Sequence, residues 1–151
     1  MEKDLKDLLL RDLCARLSYG VKVQYYDYES ERVEIDVVEG CENMGTKHPY
    51  FYVGQYSLTL DKLKPVLYPL SSMTHEQFEG LKVLCNMYDN YNDYNPHEYW
   101  GIQVCRKHIH GNKTCFANNY KVIYWLNEHH FDYNGLIEKG LAIDATNLNV
   151  Y

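Results

Sequence analysis

Apolar residues recur along this chain at two different spacings, and each change of spacing marks a change of element. Over Glu2–Leu17 the residues Leu5, Leu8, Leu9, Leu13 and Leu17 lie three and four apart, the stripe of an amphipathic helix, and Gly20 ends it. From Val21 the apolar positions alternate instead. Val21, Val23 and Tyr25 are followed, across the polar turn Asp27–Glu31, by Val33, Ile35 and Val37, which predicts a β-hairpin with one apolar face. A loop over 39–49 leads to Tyr50–Val53, and Gly54-Gln55 separates this from Tyr56–Leu60, giving two more short strands. Asp61–Leu70 reads as a helical turn and then an edge strand, because Pro65 and Pro69 have no N–H to give a central ladder. Five short strands in about 50 residues predict a small, partly closed β-barrel of the SH3-like kind.

A helical signature follows. Thr74 and Gln77 have the spacing of a capping box, and Met73 and Phe78 that of a hydrophobic staple, so a helix is predicted from His75 with the stripe Phe78, Leu81, Leu84, Cys85 and Tyr88. Residues 87–100 show neither period. Trp100, Ile102 and Val104 then alternate, Gly111-Asn112 offers a two-residue turn, and Thr114–Ala117 is the return strand of a second hairpin. Asn118 or Asn119 caps a helix carrying Val122, Ile123, Leu126 and His130, with Trp125 at its flank. Asp132 caps a short helix over Tyr133–Lys139, which Gly140 ends. The expected architecture is α+β: an N-terminal helix and SH3-like barrel over 1–72, and over 73–151 a helical C-terminal portion with one β-hairpin, the two packed as one integrated unit.

Composition narrows the function classes. Of 151 residues, 46% are apolar and 24% charged, ordinary values for a globular chain. No apolar run, Leu8–Leu10 included, comes near the roughly 18 to 20 residues a membrane-spanning helix needs. Five scattered cysteines, an odd number, and no basic-then-apolar leader predict reduced thiols and a cytoplasmic location. The net charge of -6 disfavours nucleic acid, whose binding draws on clustered Lys and Arg. Charge is unevenly spread: Asp27–Glu42 holds seven acids against Arg32 alone, whereas Arg106, Lys107, His108, His110 and Lys113 cluster.

One spacing could hold a metal. If Gly111-Asn112 sets the register, His108 lies opposite Cys115, and His108, His110 and Cys115 share a face as three potential zinc ligands. A fourth could be Cys105 through a bulge, or His129, His130 or Asp132. Against this, structural zinc sites usually show two close ligand pairs such as C-x2-C, and none is present. A His/carboxylate pair from His129, His130 and Asp132 would suit general-base work, but Asp132 already serves as a cap and His130 sits on the apolar stripe. Nucleophile-elbow and phosphate-loop motifs are missing. The 16 tyrosines are the compositional anomaly. In the Tyr/Asn-rich stretch, Tyr91, Tyr94, Tyr99 and Trp100 would anchor a binding loop, tyrosine giving broad amphipathic contact with few rotatable bonds. Tyr25, Tyr26, Tyr28, Tyr50, Tyr52 and Tyr56 would give the barrel an aromatic binding surface of its own.

Several stretches resemble a known family. Asp12-Leu-Cys-Ala-Arg-Leu17 before Tyr19-Gly-Val21, Leu70-Ser-Ser-Met-Thr74, and Trp125-Leu-Asn-Glu-His-His-Phe-Asp-Tyr133 with Gly135-Leu-Ile137 and Gly140-Leu-Ala142 resemble small uncharacterised proteins from gut Bacteroides and their phages or prophages. The chain departs from them at Ser18, where proline is expected, at Asn134, where arginine is expected, and over 91–117. The resemblance implies a cytoplasmic protein of a mobile element and assigns no activity to any residue. Together these readings predict a noncatalytic interaction protein that recognises a protein partner, in a phage setting a host factor, through aromatic and acidic surfaces without a cofactor. The alternative is a small zinc-binding module or metal-dependent enzyme using the 105–115 hairpin.

Overall fold

The computed structural model describes residues 2–44, 46, 48–84 and 119–151. Among these the chain forms helix α1 (Lys3–Arg16), strands β1 (Lys22–Asp27), β2 (Arg32–Glu42), β3 (Tyr50–Val53), β4 (Tyr56–Thr59) and β5 (Leu63–Pro69), helices α2 (His75–Leu84) and α3 (Asn119–Glu128), and two-residue strands β6 (Phe131–Asp132) and β7 (Ile143–Asp144). It divides into two compact units, one of Met1–Leu67 with Asn134–Tyr151 and the other of Tyr68–Tyr133. The architecture is α+β: an N-terminal helix, a mixed sheet that is not closed, and later helices.

In the first unit α1 buries Leu9 and Leu13 as its stripe predicts, and with them Asp12 and Arg16. Two charges enter this core because they sit one helical turn apart and cancel. Arg16 Nε donates to Asp12 Oδ2 at 2.7 Å and Nη2 to Oδ1 at 3.0 Å, with both side chains fully enclosed. Asn134 Nδ2 adds a third donor to Asp12 Oδ1 at 2.8 Å. Such a fork and its extra donor offset the desolvation of the pair only while both partners are present.

The strands run β4-β3-β2-β1-β5, with β7 parallel to β5. The first four form an antiparallel meander, and β5 returns antiparallel to β1. Val21, Val23 and Tyr25 face the core as expected, but the partner row does not. Val23 pairs with Asp36 and Tyr25 with Glu34, so Val33, Ile35 and Val37 lie on the opposite face, with Val33 59% exposed. Opposed residues of an antiparallel pair share a face, and the parity set by the Asp27–Arg32 closing pair puts even-numbered β2 residues inward. Val38 is the core-facing valine of β2. A bulge between Val38 and Gly40 then shifts the phase, so Cys41 turns towards the core opposite Phe51 while Glu42 stays outside opposite Tyr50.

The two prolines do not make β5 an edge strand. Leu63–Pro65 pairs with β1 and Val66–Leu67 with β7, so the ladder changes sides at Pro65. Where the β1 ladder would continue, the Tyr151 hydroxyl accepts from Lys22 N–H at 2.9 Å and donates to the Val66 carbonyl at 2.8 Å. Residues 136–140 form a turn instead of the helix predicted over Tyr133–Lys139. Gly135, at φ +66°, breaks the helical path, and Gly140, at φ +69°, holds the left-handed position expected of it.

In the second unit the capping box is formed in both directions. Gln77 Oε1 accepts from Thr74 N–H at 2.8 Å and Thr74 Oγ1 from Gln77 N–H at 3.2 Å. Met73, Phe78 and Leu81 of this segment pack with Val122 and Leu126 of α3 and with Phe131. The helix ends at Glu128, two residues short of the predicted stripe position His130. There the backbone is left-handed at φ +56°, with His130 N–H donating to Asn127 and its carbonyl accepting from Tyr68 N–H. Tyr68 and Pro69 then pair in parallel with β6.

Asp12→Ala strands a buried guanidinium, and we expect a loss of about 3 to 5 kcal/mol in urea unfolding, most of it recovered in Asp12→Leu/Arg16→Met because apolar replacement removes both charges. Thr74→Ala removes one half of the capping box and should cost about 1 kcal/mol by the same measurement.

Candidate functional site

The residues singled out beforehand as sites, Tyr91, Tyr94, Tyr99 and Trp100 for binding and His108, His110 and Cys115 for metal, lie outside the described residues, as does the hairpin that would carry the last three. Among the described residues no group of three His, Cys, Asp or Glu side chains is placed to hold a metal ion. Cys14 and Cys41 are half-buried, and burial, followed by the neighbouring Cys41, pushes the Cys14 thiol up to about 11. A thiol so shifted is protonated at neutral pH and a poor nucleophile.

In the second unit the His129 ring lies flat on Trp125, centroids 4.0 Å apart, and Trp125 is itself stacked on Phe131. His129 Nδ1 is 2.9 Å from the Trp125 carbonyl. A carbonyl only accepts, so Nδ1 carries the proton and serves to close the helix end. His130 and Asp132 are both buried. The local geometry is that of a helix terminus with an aromatic stack.

Chemistry-bearing side chains meet at the turn end of the first unit's sheet. Asp27 opens the β1–β2 turn and takes three donors: Glu29 N–H at 2.8 Å, Ser30 Oγ at 2.7 Å and the Tyr56 hydroxyl at 2.7 Å. The Tyr56 bond first, then Ser30 and Glu29, bring its carboxyl down to about 2. The same bond holds the Tyr56 hydroxyl above the usual tyrosine range. Gln55 Nε2 bridges to Glu29 at 3.2 Å and to the Tyr56 hydroxyl at 3.1 Å. The rings of Tyr25 and Tyr56 are 5.7 Å apart and tilted. Burial, then Asp36, Asp27 and Glu34 in turn, raises the Tyr25 hydroxyl, so three carboxylates act on this one ring.

The register explains the convergence. Glu34 stands directly opposite Tyr25 and Asp36 opposite Val23, on the core-facing side but in the half of β2 that β3 does not cover, where both residues remain exposed. Across the sheet lies an aromatic counterpart: Tyr26 (45% exposed) and Tyr28 (71%) meet edge to face at 4.9 Å, and Tyr26 stands opposite Val33. Arg32 faces Asp27 across the ladder and, among the described residues, forms no ion pair. Four carboxylates of one sign beside the half-buried Tyr56 suit an organic cation, whose charge is met by the acids and which the Tyr56 ring can flank. The acidity of Asp27–Glu42 and the tyrosines of the strands are visible in the sequence. Their meeting is not, since it depends on which β2 residues turn inward.

Comparison with protein-family models, curated proteins and solved structures finds no match for this chain. Among the described residues no helix is long and apolar enough to cross a membrane.

A carboxyl held low stabilises the fold above the usual carboxylate range, and that contribution is lost as pH falls through about 2 for Asp27. In carbon-detected NMR titrations we expect the Asp27 midpoint to rise in Tyr56→Phe, which removes the largest cause of the shift. An unmoved midpoint would show that the Tyr56 bond is not made in solution.

Proposed function

We propose that this chain is a noncatalytic interaction protein that captures a cationic segment of a protein partner at the turn end of an SH3-like barrel. One observation carries the reading: Asp27, Glu29, Glu34 and Asp36 gather around Tyr25 and Tyr56 with Arg32 as the only base between Asp27 and Glu42. Like-signed carboxylates repel one another, a standing cost that an incoming cation would relieve, and close charge complementarity raises the rate of encounter. The half-buried Tyr56 beside them supplies contact area at little cost in side-chain entropy. The exposed Tyr26, Tyr28 and Val33 extend the contact surface around the hairpin.

The barrel reading has topological support. A four-strand meander with a fifth strand antiparallel to the first, a long β2 bent at a bulge so that it serves both β1 and β3, and a 3-10 turn at Leu60–Lys62 leading into β5 suit a small barrel of this kind. The resemblance to proteins of gut Bacteroides and their phages or prophages supplies a setting: a cytoplasmic protein of a mobile element acting on a host protein. Acids at the contact surface fit a basic protein segment and oppose a phosphate backbone.

A labelled arginine-serine peptide, with a glutamate-serine counterpart as control, tests the reading by fluorescence anisotropy. The arginine peptide should bind and weaken as salt is raised, and Asp27→Asn/Glu34→Gln/Asp36→Asn should lower its affinity by about tenfold or more. Equal binding of both peptides, or an affinity that the triple variant leaves unchanged, would sink the proposal.

A further inference from the structure

The first unit treats two strand edges in opposite ways. Among the described residues β3 covers β2 only from Val38 onward, so the far side of Arg32–Val37 has no ladder. That edge is guarded. It carries Arg32, Glu34 and Asp36, it ends in the bulge, and the Asp36 carboxylate accepts from Val37 N–H at 2.7 Å, occupying a donor that another strand would need. Charged side chains and bulges are the usual devices that keep edges from pairing.

The outer edge of β4 has none of them. Tyr56-Ser-Leu-Thr59 has no charge, proline or bulge, and its register against β3 is unbroken. Gly54, at φ +55°, occupies the first position of the two-residue turn that joins the strands, the place type II′ turns give to glycine. In such a hairpin the closing pair, Val53 and Tyr56, exchanges ladder bonds, so Ser57 and Thr59 turn their N–H and C=O groups away from β3. Among the described residues no second strand pairs with this side of β4, and of these groups only the Thr59 carbonyl, which opens the 3-10 turn at Leu60–Lys62, has a place in another element. Their side chains are small and lie on the outer face, where the next strand inward presents Tyr52 and Tyr50, 38% and 36% exposed.

We propose that the partner docks by strand addition: an extended segment of another polypeptide pairs with β4, bonding to the N–H and C=O of Ser57 and the N–H of Thr59. The inference rests on the reading of this chain as an interaction protein and adds the mode of capture. Backbone bonds supply affinity, and alternate side chains supply choice. The segment's outward side chains lie over the step left by Ser57 and Thr59, against Tyr52 and Tyr50, so large apolar or aromatic residues fit there. Basic residues suit its remaining positions, which share the face of Tyr56, where Asp27 and Glu29 stand.

The probe is a short capped peptide of alternating valine and lysine, together with two versions N-methylated on either alternate set of residues. Amide hydrogen exchange by NMR reads the edge directly. Saturating peptide should slow exchange at Ser57 and Thr59 by about tenfold or more, and N-methylation of one set should weaken binding by a similar factor, because it removes the donors that face β4. Ser57→Pro should abolish the protection in a protein whose spectrum is otherwise folded, and the N-methylated peptides give the same answer without altering the protein. Binding with no slowing at Ser57 and Thr59, or equal binding of all three peptides, overturns strand addition; if the triple carboxylate variant still weakens that binding, the cationic-partner reading survives alone. Protection at Ser57 and Thr59 that grows with protein concentration in the absence of peptide assigns the edge to a second copy and likewise overturns the proposal. Absence of binding by any of these peptides overturns strand addition, and the cationic-partner reading then stands or falls with the arginine-serine peptide.

Discussion

The phase of β2 is the constraint on which the first unit depends. An eleven-residue strand has to pair with β1 along its first half and with β3 along its second, and these two halves ask for opposite parity. The bulge between Val38 and Gly40 reconciles them with one extra residue. Without it, Gly40 and Glu42 would point into the core and Cys41 and the Tyr52 side of the sheet would exchange roles. A one-residue slip moves every following side chain to the other face, which makes the bulge a decision about the whole sheet.

That decision also creates the candidate site. Because even-numbered residues of the first half turn inward, Glu34 and Asp36 share a face with the buried Tyr25 and Val23, and they stay exposed in the half of β2 that β3 does not cover. They therefore stand beside Tyr25, and the turn brings Asp27 to Tyr56. The apolar side chains displaced from the core, Val33 above all, come to rest in water on the opposite face. An acidic, tyrosine-lined surface and an exposed apolar one are two consequences of a single register.

Local signals in the sequence carried as far as local physics reaches. The spacing of α1, the capping box at Thr74 and Gln77, the strand Tyr50–Val53 and the left-handed Gly140 follow from propensity and periodicity alone, and all are present. Features set by distant residues were not legible. Alternation at Val33, Ile35 and Val37 gives a face but not which face, since that is fixed by the partner strand. Prolines in β5 suggested an edge, whereas the ladder passes from β1 to β7 around Pro65, and a hydroxyl from Tyr151 fills the gap. A buried Asp12–Arg16 pair reads in sequence as an ordinary surface pair at helical spacing, and one of its hydrogen-bond partners, Asn134, lies 122 positions away.

Charge links these features. The same side chains that protect the first half of β2 from strand pairing, Glu34 and Asp36, are those that stand by Tyr25, so defence of one edge and attraction of a cation are one arrangement seen from two directions. Protection of this kind has a cost, because clustered carboxylates repel in the folded state. The fold offsets part of it locally, by giving Asp27 three donors and Asp36 a backbone N–H. Glu34 gains no such bond among the described residues. A strand that needed only to avoid aggregation could have used lysine, as edges often do, and would have avoided the repulsion. The use of acids throughout, next to Tyr56 and on a sheet whose β4 edge carries no second ladder among the described residues, is the feature on which the proposal of a ligand of opposite charge rests.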